Sequence, residues 1–227
     1  MRIGVLGTGT VGRTVGGKLA GLGHDVAIGT RDPAATIART ETGPMEQETF
    51  AAWHARNPDV RIVPYVEAAA GAELLVNATN GAGSMEALDA AGAENLEGKV
   101  LIDISNPLDF SQGMPPSLFV SNTDSLGEQI QRAFPGAKVV KTLNTVTASV
   151  MVDPSLVAGG EHTVFVSGDD AGAKEAVTAL LRDGFGWRHV VDLGDIATSR
   201  GVEMYLPLWL RLFGALGTPF YNVRVVT

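Results

Sequence analysis

The sequence contains no cysteine and only four histidines. Without cysteine there can be no disulfide bonds, thiolate metal sites or cysteine nucleophiles. The histidines, His24, His54, His162 and His189, are scattered, and no two have the spacing of a metal-binding pair. We therefore predict no metal site and assign no catalytic residue to the histidines.

Long hydrophobic runs and an excess of positive charge are also absent. The longest apolar stretch, YLPLWLRLFGALG, contains Pro207 and Arg211 and is too short to cross a bilayer. The first residues do not have the pattern of a secretory signal peptide. A formal net charge of -8 argues against binding to nucleic acid or to an anionic membrane. We expect a cytoplasmic protein that binds neither.

What the sequence does contain is a regular alternation of apolar runs and amphipathic segments. The apolar runs are nearly continuous, which is typical of parallel strands covered by helices on both faces. This pattern predicts a doubly wound α/β fold with a parallel sheet. The first six strands are expected at residues 2–7, 24–29, 61–65, 73–79, 99–105 and 138–144.

A second set of elements follows the segment TASVMVDPS. Strands are expected at 162–168 and 188–194, a helix at 171–182, a mostly helical segment at 196–216 and a last strand in YNVRVV. We divide the chain into a nucleotide-binding domain at 1–150 and a smaller C-terminal α/β part at 151–227. The second part is too small to be expected to stand alone, and we expect it to pack on the first.

The segment GTGTVG directly follows the first predicted strand and opens the first predicted helix. Its spacing is G-x-G-x-x-G, in which Gly7 permits a tight turn, Gly9 lets a pyrophosphate approach the backbone and Gly12 allows close helix packing. The free N–H groups of the helix start then hold phosphate. In this context the motif predicts a Rossmann-type dinucleotide site. The predicted contacts are Gly7, Thr8, Gly9, Thr10, Val11 and Gly12.

The end of the second strand indicates which dinucleotide is bound. A site that prefers NAD usually has an acidic residue there, which grips the ribose 2′-hydroxyl. This strand instead ends in Thr30 and Arg31. The threonine hydroxyl and the arginine guanidinium can both donate hydrogen bonds to a 2′-phosphate, and the guanidinium also supplies a positive charge. The sequence therefore favours NADP, although Arg31 could also be a solvated loop cation.

Polar residues follow three later strands. Because cofactors bind beyond the carboxyl ends of parallel strands, we expect these residues to form the floor of one crevice. Each could equally be a cap or a turn residue. The candidate contacts are Asn77, Ala78, Thr79, Asn80, Ser105, Asn106, Pro107, Asn144, Thr145, Val146 and Thr147.

No side chain stands out as a proton donor for the chemistry. Lys141 lies within a predicted strand, where we expect a buried stem with a paired ammonium group. Dehydrogenases acting on alcohols need such a donor, whereas hydride transfer between two cofactors needs mainly alignment of two rings. The absence therefore favours transfer between cofactors.

The motifs together resemble the NADPH-dependent reductases of the deazaflavin coenzyme F-420. The resemblance rests on GTGTVG, on the strand end Gly29–Arg31, on KVVKTLNTVTA and on GDIATSRGVEMYLPLW. It implies that KVVKTLNTVTA, which ends at Ala148, passes beneath the nicotinamide. It also implies a second redox cofactor, a deazaflavin or FMN or FAD, in a cleft between the two parts, and a homodimer. The stretch DISNPLDFSQGMPPS is more similar to the cytosolic domain of membrane reductases, also an NADP-to-flavin module.

Two other functions remain open from the residues. The protein could reduce a small carbonyl or imine, or it could bind the dinucleotide without turnover as a sensor or partner protein. The helix near 203–216 is apolar almost all round, which is typical of a segment buried against the core on one face and against a partner subunit or second ligand on the other.

Overall fold

The computed structural model describes residues 1–43 and 48–227. Its strands are β1 (Arg2–Leu6), β2 (Asp25–Thr30), β3 (Arg61–Pro64), β4 (Leu74–Asn77), β5 (Val100–Asp103), β6 (Leu108–Asp109), β7 (Ser117–Leu118), β8 (Lys138–Thr142), β9 (Thr163–Ser167) and β10 (His189–Asp192). Its α-helices are α1 (Thr10–Gly21), α2 (Pro33–Ile37), α3 (Phe50–Arg56), α4 (Tyr65–Gly71), α5 (Ser84–Ala91), α6 (Ala93–Leu96), α7 (Leu126–Ala133), α8 (Ala148–Val152), α9 (Ala171–Ala179), α10 (Ser199–Met204) and α11 (Leu206–Leu216).

Eight of these strands form one sheet in the order β3-β2-β1-β4-β5-β8-β9-β10. Neighbouring strands run parallel except β8 and β9, which are antiparallel. The strand order changes direction at β1, because β2 and β3 lie on one side of it and β4 on the other. Such a reversal opens a crevice at the carboxyl ends of the strands. The predicted doubly wound α/β fold is confirmed.

The helices cover both faces of this sheet. On one face, Val15 and Leu19 of α1 join Val150 of α8 and Val177 of α9 in one apolar layer. On the other face, α4, α5, α6 and α7 supply a second layer that includes Leu88 and Ile130. Because both faces are covered, the inner strands of the sheet are buried along nearly their whole length, and this explains their continuous apolar sequences. The edge strands β3 and β10 are only partly buried.

The C-terminal part extends this sheet rather than forming a separate one. Strands β9 and β10 add to its β8 edge. The expected last strand in YNVRVV is wrong, since residues 221–227 have no regular secondary structure. Strand β8 pairs only with the end of β9, at Val166 and Ser167. The tail covers the backbone at the start of β9, where the Thr163 N–H donates to the Val223 carbonyl at 2.9 Å.

Other boundaries also differ from the sequence expectation. The helix expected at 171–182 ends at Ala179 and continues as a π-helical turn over Leu180–Phe185. The two helices expected between 33 and 57 are α2 and α3, and Pro44 of the expected break lies outside the described residues. In α11 Leu206 is buried and Trp209, Leu210, Leu212 and Phe213 are half-buried, so the face expected to pack on the core is partly covered within this chain.

Candidate functional site

The first glycine-rich turn connects β1 to α1 at the point where the strand order reverses. A Cβ atom on Gly7, whose φ is +119°, would lie 2.6 Å from the Ala78 carbonyl oxygen, and one on Gly12 would lie 2.0 Å from the Gly7 carbonyl oxygen. A Cβ atom on Gly9 would have no atom of the described residues within 4 Å. Two glycines are thus required by packing, whereas Gly9 faces open space that a ligand can use.

The N-terminus of α1 has the properties of an anion site. Gly9 is its capping residue, and within the described chain no side chain caps the helix and no acidic residue lies in its first turn. The N–H groups of Thr10, Val11 and Gly12 lie in that first turn, where the positive end of the helix dipole adds to their attraction for phosphate. The turn therefore fits the pyrophosphate of a dinucleotide.

A cleft of about 270 Å³ opens beside this turn. Seven of the residues predicted from the sequence line it, and they come from three separate segments that the fold brings together. They are Gly7, Thr8, Gly9, Arg31, Ala78, Thr79 and Asn80.

Arg31 and Thr30 occupy different positions at the end of β2. The Arg31 guanidinium is exposed in the cleft and lies 3.7 Å from the Glu86 carboxylate. The Thr30 hydroxyl is buried and bonded to the Thr36 hydroxyl at 2.9 Å. The next acidic residue, Asp32, accepts a hydrogen bond from the Ala35 N–H at 2.9 Å and caps α2. One of its two carboxylate oxygens is therefore used to cap a helix, and Asp32 is not among the residues that line the cleft.

Five further residues that were not predicted from the sequence also line the cleft. Tyr65 follows the carboxyl end of β3, so the strand-end rule could have identified it. Burial raises the pKa of the Tyr65 phenol, and the charges of Arg31 and Glu86 act on it in opposite directions. The lining residues outside the predicted set are Tyr65, Gly83, Glu86, Ala87 and Ala90.

The three predicted strand ends meet at one edge of the sheet. Asn106 and Asn144 are joined by two hydrogen bonds of 3.0 Å, in which the Asn106 amide donates to the Asn144 carbonyl and the Asn144 amide donates to the Asn106 side-chain oxygen. Gly81 packs so closely that a Cβ there would lie 1.9 Å from the Asn106 carbonyl oxygen. The fold thus places the ends of β4, β5 and β8 side by side.

Most of the predicted polar side chains at these strand ends make their hydrogen bonds within the protein. Asn77 and Ser105 are buried and bond to Asp103, while Thr79 bonds to Asn77. Ligand contact by the residues at this edge stays a prediction. The other predicted residues of the second and third strand ends are also buried, apart from the half-buried Asn106 and Thr147; they are Pro107, Asn144, Thr145, Val146 and Ala148.

The loop after β8 contains backbone strain. Leu143, although not a glycine, has a φ of 61° and is buried. A left-handed conformation costs a residue of this kind roughly 1–2 kcal/mol. The loop is held by Asn144, whose amide also donates to the Val202 carbonyl at 3.1 Å. Strained backbone of this kind clusters at ligand sites, and this loop is the one expected beneath a nicotinamide.

A fully buried ion cluster lies beneath these strand ends, and we call its three residues, Asp103, Lys141 and Glu203, the ion cluster. The Lys141 ammonium lies 2.8 Å from the Asp103 carboxylate and 2.9 Å from that of Glu203. The backbone N–H groups of Leu126 and Gly127, at the start of α7, donate to Glu203. Every charged group in the cluster is therefore paired, as the expectation for Lys141 required.

The pKa of Lys141 reflects this pairing. Burial by itself lowers the pKa of the ammonium group, but the Asp103 and Glu203 carboxylates outweigh it, so the pKa is raised from its usual value. Lys141 is therefore a cation in the folded protein. Because its side chain is fully buried and paired with two carboxylates, its protons are out of reach of a ligand in the cleft. Sequence reasoning missed Asp103, because one acidic residue in a buried strand gives no signal of its partner.

The histidines lie away from the cleft lining. The rings of His54 and His162 bond to backbone carbonyls of Val60 and Pro154, and His189 bonds to the Glu161 carboxylate. In residues 1–43 and 48–227 no cluster of acidic or histidine side chains has the arrangement of a metal site. No helix in the same ranges is long and apolar enough to cross a bilayer.

Comparison with known proteins gives matches over the whole chain. Residues 2–107 match the family described as NADP oxidoreductase, coenzyme F420-dependent. A crystal structure of a candidate F420-dependent NADP-reductase from Arthrobacter sp. FB24 is 61% identical, covers 100% of both chains and superposes with a TM-score of 0.95. The F420-dependent NADP reductase of Methanothermobacter marburgensis is 26% identical over 93% of this chain and 92% of its own length.

The Metalloreductase STEAP3 of Rattus norvegicus is 28% identical over 92% of this chain. The match covers only 38% of that protein, so the chain spans well under half the length of this relative. The resemblance to an F-420 reductase-like family is confirmed by these findings. The chain belongs to the family of coenzyme F420-dependent NADP oxidoreductases and is an NADP-dependent oxidoreductase.

Proposed function

We propose that the protein transfers a hydride between NADP(H), bound in the cleft, and a deazaflavin of the coenzyme F420 type. The observation that carries the proposal is the arrangement around Thr8. An uncapped helix N-terminus and an exposed Arg31 adjoin the same cleft, while the carboxylate of Asp32 is bonded to a helix. This combination suits a dinucleotide with a 2′-phosphate, because a guanidinium rather than a carboxylate lines the cleft at the end of β2.

In this proposal the protein binds and aligns rather than donates protons. The bound NADPH supplies the hydride. The amides of the first turn of α1 hold the pyrophosphate, and the open space at Gly9 allows its close approach. The asparagine pair Asn106–Asn144 and the strained turn at Leu143 form the rigid edge against which the nicotinamide end is positioned.

The placement of the titratable groups supports a cofactor as hydride acceptor. The Tyr65 phenol lines the cleft, but it follows β3, on the opposite side of β1 from the strand ends where the nicotinamide is expected. The Lys141 ammonium is buried in the ion cluster, and Tyr65 lies beside Arg31 and Glu86. Reduction of a carbonyl or imine would need a donor close to the nicotinamide. The names of the Arthrobacter and Methanothermobacter relatives support a deazaflavin in particular.

A flavin, FMN or FAD, is the second candidate acceptor. The segment after β5 forms the small hairpin of β6 and β7, with Phe110, Met114 and Phe119 exposed. The sequence of this segment is the part that resembles the cytosolic domain of membrane reductases.

Stopped-flow measurement of NADPH oxidation separates these candidates. Purified protein is mixed with NADPH and, in parallel, with coenzyme F420, FMN, FAD, a ferric chelate and a panel of carbonyls and imines. We expect fast turnover with F420 and slower turnover with the flavins. Turnover with a carbonyl or imine alone would refute cofactor-to-cofactor transfer. Tight NADPH binding without turnover of any acceptor would instead indicate a sensor.

We also propose that the protein acts as a homodimer through α11. Leu208 and Leu216 are 54% and 55% exposed, and Phe220 of the following tail is 49% exposed. The Trp209 indole N–H and the Tyr205 hydroxyl are buried without a hydrogen-bond partner in the described residues. A surface with this much exposed apolar area fits contact with a second copy.

A further inference from the structure

Arg39, which follows α2, lies against the phosphate-binding turn. Its Nη2 donates to the Thr8 carbonyl at 3.2 Å, and Thr8 stands between Gly7 and Gly9. Its guanidinium carbon lies 5.5 Å from the centre of the Phe50 ring, which is fully buried. The side chain is therefore fixed on two sides and holds its charge at the edge of the cleft turn.

The charge of Arg39 is not neutralised by a neighbour within the described chain. In residues 1–43 and 48–227, no carboxylate oxygen lies within 4.0 Å of its guanidinium, whereas most other lysine and arginine side chains there form such pairs. Lys18, Lys99, Arg182 and Arg211 also lack a carboxylate within 4.0 Å among the described residues, so what distinguishes Arg39 is its bond to the Thr8 carbonyl beside the cleft. The Nε atom of Arg39 is buried without a partner in the same ranges, which adds a desolvation cost to this position.

Holding the Thr8 carbonyl does not require a guanidinium. One neutral donor satisfies one carbonyl lone pair, whereas arginine has five N–H donors and a permanent charge. The excess of donors and charge is explained if a second acceptor group binds at the same place. An anion is the acceptor that best suits a planar guanidinium group. Arginine binds a phosphate monoester through two parallel N–H···O hydrogen bonds.

We propose that Arg39 is a second specificity-determining residue for the 2′-phosphate, acting with Arg31 on the same dinucleotide. Thr8 links the two arginines, because Arg31 lines the cleft together with Thr8 and Arg39 is bonded to it. The inference rests on the proposed NADP site. Two guanidinium groups neutralise a dianionic phosphate more fully than one, and this sharpens discrimination against NAD.

The test uses calorimetric titration with 2′,5′-ADP and with ADP, two probes that differ by the 2′-phosphate. NADPH and NADH are titrated in the same way. The variants are Arg39→Ala and Arg39→Lys, with Arg61→Ala as the matched control. Arg61 is an exposed arginine at the start of β3, where it pairs with Asp25 at 3.3 Å, and unlike Arg39 it has no hydrogen bond to the glycine-rich turn in the described chain.

Loss of a charge-assisted contact should weaken 2′,5′-ADP and NADPH binding of Arg39→Ala about ten- to a hundredfold. ADP and NADH binding should change less than about threefold, and Arg39→Lys should recover part of the loss because it keeps the charge. Arg61→Ala should bind all four probes like the wild type.

Equal weakening of phosphorylated and unphosphorylated probes would overturn the inference, because Arg39 would then only hold the turn in place. Unchanged binding of both would overturn it as well. Either result leaves the proposed function intact if the wild-type protein still prefers NADPH. If the wild type binds neither dinucleotide, the proposed function itself fails.

Discussion

At the scale of single residues, the glycines of one motif have different physical roles. Gly7 and Gly12 have backbone atoms within 3 Å of where a side chain would begin, whereas Gly9 has no described atom within 4 Å. The close packing at Gly7 and Gly12 agrees with the roles that the motif predicts for them. The approach of a pyrophosphate at Gly9 stays a prediction, for which the structure shows open space.

Gly9→Ala and Gly12→Ala should therefore affect different properties. Gly12→Ala should destabilise the fold by about 1–3 kcal/mol, because the methyl group would clash with the Gly7 carbonyl. Gly9→Ala should leave stability within about 0.5 kcal/mol of wild type but weaken NADPH binding. Urea unfolding measures the first effect and calorimetry the second. A Gly9→Ala protein that binds NADPH normally would refute the role of this glycine.

Arg31→Ala should weaken NADPH binding about ten- to a hundredfold while NADH binding changes little. The reason is that the cleft beside Thr8 would lose the guanidinium group that binds the 2′-phosphate in the proposed site. Glu86→Gln is the control, because its exposed ion pair with Arg31 contributes little to stability. That variant should bind NADPH at least as well as wild type, since a negative charge leaves the cleft. Equal losses for both dinucleotides in Arg31→Ala would show that the guanidinium does not meet the extra phosphate.

At the scale of secondary-structure elements, the short helix α10 is tied to the sheet by charge rather than by apolar packing. Glu203 of α10 contacts Lys141 of β8 and the N-terminus of α7, and Arg200 of α10 donates to Glu128 of α7 at 2.8 Å. The sequence positions of these residues are up to 77 apart. Such pairs fix the place of α10 beside the strand ends, where the nicotinamide is expected.

Lys141→Met should destabilise the protein by about 3–5 kcal/mol, because two buried carboxylates would lose their shared cation. The pKa of Lys141 is raised in the folded state, so its contribution is complete at neutral pH and falls only above the unfolded value of about 10.4. Lys174→Met, which removes a pair with the half-exposed Asp192, should cost less than about 1 kcal/mol. Similar denaturation midpoints for both variants would contradict the special role of the ion cluster.

The contact between Glu128 and Arg200 should make stability depend on acid pH. Hydrogen bonds from Arg200 lower the pKa of the Glu128 carboxyl from its usual 4.5, against the opposing effect of burial. A lowered pKa contributes stability above the unfolded value, and this stability is lost as the pH falls through the folded one. The stability advantage of wild type over Glu128→Gln should thus shrink below about pH 4.5. Denaturation curves across the acid range measure it, and a constant difference would contradict the assignment.

At the scale of the whole molecule, the division at residue 150 stays a prediction. Strands β9 and β10 belong to the same sheet as the first six main strands, and Glu203 completes a charge cluster that begins with Asp103. A fragment of residues 1–150 would leave the β8 edge unpaired and Lys141 with one carboxylate. These contacts support the expectation that the C-terminal part packs on the first part.

The exposed face of α11 predicts a homodimer in light scattering at micromolar concentration. The double variant Leu208→Glu with Leu216→Glu should shift the protein to a monomer, because burying charges in an apolar interface is costly. Leu156→Glu is the control, since Leu156 is 49% exposed and lies outside α11. A wild-type monomer would refute the dimer, and dissociation of the control variant would show that the effect is not specific to α11.

The sequence by itself determined the fold class and the cofactor motif, because these depend on local patterns. Ligand contact at the strand ends stays a prediction. A continuous apolar run, a G-x-G-x-x-G turn and a strand that ends in Thr-Arg are each readable within a few residues. Lys141 was also recognisable as a buried, paired lysine, because an ammonium within an apolar strand requires a partner.

Only the tertiary structure decided which groups meet. Arg39 lies eight residues beyond Arg31 in the sequence, yet its guanidinium reaches Thr8. Asp103, Lys141 and Glu203 come from three distant segments and form one charge cluster. The antiparallel pairing of β8 with β9 and the irregular tail that covers Thr163 likewise depend on contacts across the fold. Local patterns specify elements, whereas distances between side chains far apart in sequence are set by how those elements pack.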